Sequence, residues 1–102
     1  MEEIKEENGQ ELIKTPTDSV IVIYDDPVME SALDALAIIG KNKEIILRAK
    51  GKSIPNAVAV ALIITGNFLK GNSKILKITV DSEPIQELGG AVSNIKIILR
   101  KI

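Results

Sequence analysis

The longest unbroken apolar run in the chain, Ala57-Val58-Ala59-Val60-Ala61-Leu62-Ile63-Ile64, constrains its fold more than any other feature. It stops far short of the roughly 20 residues that a bilayer demands, so it does not read as a membrane span. Wound into a helix, the run is apolar on every face, and a helix packed on only one side of a sheet would leave part of it wet. A second apolar contact is implied. Ser53 stands where a cap is expected, so the helix is read from Ile54 to about Lys70, with Gly71-Asn72 as its stop.

The flanking segments alternate between strand and helix patterns. Val20-Ile21-Val22-Ile23-Tyr24 is a short β-branched run between polar flanks, the pattern of a strand buried on both faces. Asp26 is placed to cap a helix whose first position is Pro27, where a missing N–H costs nothing. Val28, Ala32, Ala35 or Leu36, and Ile39 recur at helical spacing, and Gly40 stands where a left-handed stop is expected. Ile45, Leu47 and Ala49 alternate with Ile46, Arg48 and Lys50 in a second strand, which the turn Lys50-Gly51-Lys52 closes. Ile75, Ile78 and Val80 fall in a third strand and Ile95, Ile97 and Leu99 in a fourth, with residues 82–91 as a Gly-containing hairpin connection. A strand joined to the next through one helix is most easily a parallel crossover. The order β-α-β-α-β-β therefore gives an α/β (α+β) two-layer sandwich, a mixed four-stranded sheet with two helices on one face.

Composition bounds the chemistry. The 102 residues suit one small domain, and with no His and no Cys there is no Ser-His or Cys-His nucleophile, no imidazole base, no thiolate zinc site and no disulfide. The expectation is a non-enzyme without cofactor or metal, cytoplasmic and not membrane-bound. Charge is unevenly spread: residues 1–18 hold six acidic side chains against two lysines, net −4, while residues 19–102 hold 11 basic against 8 acidic, net +3. The first segment reads as an acidic, flexible tail and the rest as a mildly basic domain.

The stretch Val20-Ile21-Val22-Ile23, then Pro27-Val28-Met29, then Glu44 to Ile54 with its Ala49-Lys50-Gly51-Lys52 turn, then Ala57-Val58, Asn67-Phe68-Leu69 and a close in Leu99-Arg100-Lys101 resembles the Alba family of archaeal chromatin proteins. The resemblance covers about residues 19–102. It implies a homodimer that coats duplex DNA, and RNA in many members, with strand order 1-2-4-3 and two hairpins reaching along the duplex as arms. It implies a nucleic-acid contact through Lys50, Gly51 and Lys52, with Arg48, Lys41, Lys43 and Arg100 beside them. It also implies a dimer interface through Val60, Leu62, Ile64 and Phe68, with Phe68 read either as core or as part of a contact between dimers.

Two departures from the family pattern are visible. Where the family usually has a pair of lysines after the first strand, this chain has Asp25 and Asp26, a change of four charge units per protomer. Its arm, Ser82 to Ala91, carries Glu83 and Glu87 and no Arg or Lys, although arms of the family commonly use arginine in the minor groove. Losing two phosphate contacts weakens affinity by more than about tenfold at moderate salt. Asp25 and Asp26 are read as a helix cap with solvated charge, as half of a contact with a basic partner, or, with Asp26, Glu30 and Asp34 in one row, as a Mg²⁺ site; the wet helix face is the plainer reading of that row. Two aromatics, Tyr24 and Phe68, are too few for the stacking platform of an RNA-recognition motif, so binding is expected to read backbone and shape. The other reading is an interaction module that has given up nucleic acid and pairs with a basic paralogue in a heterodimer.

Overall fold

In the computed structural model, which describes residues 19–85 and 90–102, the apolar runs build a four-stranded sheet covered on one side by two helices. In chain order the elements are β1 (Val20–Val22), α1 (Val28–Asn42), β2 (Glu44–Lys50), α2 (Ile54–Ile63), β3 (Ser73–Ile85) and β4 (Gly90–Lys101). The strand order is β1-β2-β4-β3. β1 and β2 are parallel, with α1 between them in sequence, and β4 runs antiparallel to both β2 and β3. Both helices pack against each other and against β2 and β4. Alternation along the strands sends Ile45, Leu47 and Ala49 of β2 and Ile95, Ile97 and Leu99 of β4 into the layer between sheet and helices, where they meet Ile39, Val60 and Ile64. Burying each such large side chain contributes about 1.5–3 kcal/mol, so this layer dominates the stability of the domain.

Several local expectations are corrected. The β1 run is not buried on both faces: β1 is an edge strand with an uncovered side, so Val22 and Tyr24 are exposed and Ile23 is buried. Helix α1 continues past Gly40 and stops at Lys43, which itself takes the left-handed conformation, φ 68°, and donates its N–H to Ile39 O at 2.8 Å. The reason is tertiary, since Lys101 N donates to Lys43 O at 2.8 Å and ties the end of β4 to this residue. Asp26 does not cap α1, whose N-cap position is Pro27 with no side-chain bond. Ser53 does stand at the N-cap of α2 but makes no side-chain cap bond, because a 3₁₀ turn over Gly51–Ser53 already leads the chain into the helix.

Helix α2 stops at Ile63, short of the expected end near Lys70. At Ile64 it widens into a π-helical turn, Ile64–Phe68, beside which Thr65 Oγ1 donates to Ala61 O at 2.9 Å. Chain beyond that turn enters β3, where a bulge between Ile75 and Lys77 interrupts the ladder. The ladder then runs out to Ile85 opposite Gly90, so residues 82–85 and 90–91, expected in a hairpin connection, are strand. The tip, with Glu87, lies outside the described residues, as do residues 1–18.

Candidate functional site

The turn between β2 and α2 is held by local geometry. Lys50 ends β2 in extended conformation, and Gly51 follows at φ +53°, a backbone that an L side chain rarely adopts. The two lysines of the turn point at carboxylates of the same chain. Lys50 Nζ lies 3.3 Å from Glu83 Oε1, and Glu83 accepts a second bond through Oε2 from Asn94 Nδ2 at 2.7 Å. Lys52 Nζ lies 3.7 Å from Asp25 Oδ2. These side chains are largely exposed, so each pair is worth at most about 1 kcal/mol and opens readily. Its net charge is the functional point: two lysines facing two carboxylates make the turn locally neutral, and Asp26 stands exposed next to it.

The remaining basic residues divide between two ends of the sheet. Arg48 lies near the turn end of β2, whereas Lys41 and Lys43 sit at the far end of α1, beyond the start of β2. Six strand steps of about 3.3 Å separate Lys50 from Glu44, so Lys41 and Lys43 stand roughly 20 Å from the turn and do not join it. Arg100 is at their end of the sheet, where its Nη2 donates to Glu44 Oε2 at 3.2 Å.

Strand alternation makes a charged surface that motif reading missed. Residues opposite each other on a ladder share a face, and Arg48 pairs with Lys96, Lys74 with Arg100 and Lys77 with Ile98, all on the face away from the helices. That open face carries Arg48, Lys50, Lys74, Lys77, Lys96 and Arg100 against Glu44, Asp81 and Glu83. Lys96 was findable, since it lies between the inward Ile95 and Ile97. Lys77 was not, because the bulge shifts the parity of β3.

The apolar residues assigned to a dimer interface also divide. Val60 and Ile64 are 0% exposed and belong to the core of the protomer, so the expectation that they meet a partner is corrected. Phe68 is half-buried against the same core, whereas Leu62 is 57% exposed. Unassigned in the sequence reading, Ile78 and Val80 of β3 stand 52% and 64% exposed on the helix side of the sheet, which the helices do not reach over this edge strand. Among the described residues no three His, Cys, Asp or Glu side chains converge on a metal position, so Asp26, Glu30 and Asp34 do not form one.

Comparison with known proteins places this geometry among relatives. A family model described as Alba matches residues 19–82. The DNA/RNA-binding protein Alba of Methanocella arvoryzae is 31% identical over 90 residues, covering 84% of this chain and 93% of that protein. Among solved structures, Alba from Thermoplasma volcanium superposes with a TM-score of 0.70 at 33% identity, over 80% of this chain and 99% of the other. ALBA1 from Trypanosoma brucei, 18% identical, shares the fold at a TM-score of 0.64 over 84% of this chain and 72% of its own.

Proposed function

The chain belongs to the Alba family, and on that premise we propose that it binds DNA or RNA, without reading sequence, as a homodimer in the cytoplasm associated with the chromosome. The observation that carries this is the open sheet face, where six basic side chains meet three acidic ones. The relative from Methanocella arvoryzae, a DNA/RNA-binding protein, supports it. The phosphate contact shifts from the turn toward Arg48, Lys74, Lys77 and Lys96 of this face, because Lys50 and Lys52 face Glu83 and Asp25. Binding is therefore weaker at the turn than two unopposed lysines would give. No catalytic group, cofactor or metal enters this reading. The dimer contact runs through Leu62, Ile78 and Val80, which replace Val60 and Ile64 as the apolar surface offered to a second copy.

Salt-titrated anisotropy on duplex DNA and on structured RNA tests the proposal. Charge reversal of Arg48 and Lys96 to Glu is expected to abolish retention at low salt, and reversal of Lys50 and Lys52 to weaken it less. No binding by the parent chain at micromolar concentration ends the idea. Pairing with a basic paralogue remains the other reading, although Asp25 and Glu83, which it needs free, already face lysines of their own chain. Native mass spectrometry of the mixed proteins decides: exclusive homodimers count against it.

A further inference from the structure

At the C-terminal end of β1 a cleft of about 330 Å³ opens between Tyr24 and the start of the turn. Its volume falls within the roughly 300–1,000 Å³ of small-molecule sites. Tyr24, Arg48, Lys50 and Asn94 line it with aromatic, cationic and amide groups, beside Ile23, Ala49 and Ile95, whose side chains belong to the core on the helix side. Tyr24 is 63% exposed, and its carbonyl is held by Asn56, whose Nδ2 donates to Tyr24 O at 3.1 Å. Arg48 stands directly across the ladder from Lys96. Two cations in such a cross-strand position repel and are destabilising unless an anion lies between them. Among the described residues neither is ion-paired.

We propose that this cleft takes one unpaired nucleotide, with its base against Tyr24 and its phosphate between Arg48 and Lys96. This deepens the nucleic-acid reading above and rests on it, and it names single-stranded segments as the preferred class. An aromatic face beside a cation pair is the chemistry of a nucleotide, not of a bare anion or a lipid tail. A base inside a duplex is stacked on both sides and paired on its edge, so only an unpaired one can offer its π-face to the ring. Asn94 donates one N–H to Glu83 and keeps its carbonyl oxygen and second N–H for a base edge. Lys50 also lines the cleft but is drawn to Glu83, so the phosphate falls first to Arg48, with Lys96 across the ladder from it.

The chain supplies its own reporter, since Tyr24 is its one tyrosine and there is no tryptophan. Titrating the full chain with an unstructured single strand and with a duplex of equal length, under tyrosine emission, is the test. The single strand is expected to quench the emission on saturation and the duplex to leave it largely unchanged. Read by anisotropy of labelled strands, since the variants carry no tyrosine, Tyr24→Ala is expected to lower the ratio of single-strand to duplex affinity by about 5- to 160-fold, and Tyr24→Phe to retain most of it. Equal affinity for both ligands with unquenched emission overturns the cleft and spares the family function. Loss of affinity for both in equal measure on Tyr24→Ala overturns it too, and absence of any binding by the parent chain overturns both readings together.

Discussion

Removing the carboxylate that faces Lys50 should tighten nucleic-acid binding. Glu83→Gln keeps the shape of the side chain and an oxygen to accept from Asn94 Nδ2, now at 2.7 Å, while abolishing the charge 3.3 Å from Lys50 Nζ. In the parent chain Lys50 reaches a phosphate only by giving up that ion pair, and both side chains are about half exposed. Exposed pairs of this kind are worth about 0.2–1 kcal/mol, which converts to a gain in affinity of about 1.4- to 5-fold per turn. In the proposed homodimer, which would present the turn twice, the gain is about 2- to 30-fold. Each phosphate newly engaged also steepens the dependence of log K on log salt by about 0.9. Anisotropy of a labelled duplex, repeated between about 50 and 200 mM salt, measures both quantities. Folding stability should fall by no more than about 1 kcal/mol, the worth of the lost pair. An affinity and a salt slope both equal to those of the parent chain would refute the reasoning, because Lys50 would then not be withheld by Glu83.

Three further outcomes follow from particular residues. Lys43→Gly should stabilise the domain by about 0.5–1 kcal/mol in urea denaturation, since Lys43 holds φ 68° and glycine adopts that conformation without a Cβ clash; a loss of stability would place the energetic role of Lys43 in its side chain. Leu62→Glu with Val80→Glu should convert the proposed dimer to folded monomer by sedimentation and circular dichroism, whereas Val60→Asp should unfold the protomer, because Val60 is fully buried; a dimer that survives the paired substitution would put the interface elsewhere. Deleting residues 1–18, which carry net charge −4, should tighten polyanion binding and leave the melting temperature unchanged; equal affinity would show that the segment is only solvated.

The strand and helix order was legible because it depends on local alternation and spacing: Ile45, Leu47 and Ala49 in one strand, Ile95, Ile97 and Leu99 in another, and a helix-length apolar block between them. What local pattern could not deliver was sheet position. Val20 to Tyr24 has the composition of a strand covered on both faces, yet it lies at an edge of a sheet whose helices cover one face, so Val22, paired with Arg48 on the open face, and Tyr24 are exposed. Gly40 failed as a stop for a related reason, since the contact that ends α1 comes from Lys101, far along the chain. The apolar block likewise declared that a second contact was needed without saying which faces were spent inside. Helix α2 turns Ala57, Val60 and Ala61 inward and Leu62 outward, a choice made by the sheet beneath it.

The site was legible as a set of charges and illegible as a balance of them. Asp25 and Glu83 read in sequence as groups that repel phosphate, and in the folded chain they act first on Lys52 and Lys50. Both meetings are long-range, and the second depends on β3 reaching out along β4 until Glu83 stands over the end of β2. A lysine facing a carboxylate at the surface is neither lost nor free: it is available to a polyanion only at the cost of the existing pair, which is small but comparable to the gain from one phosphate contact. The turn thus contributes little net attraction. Among the described residues Arg48 and Lys96 face each other and pair with no carboxylate, so a phosphate between them would relieve their mutual repulsion. Affinity in this member of the family should therefore follow the open sheet face more closely than the turn, and the ordering of the two charge-reversal variants measures which surface prevails.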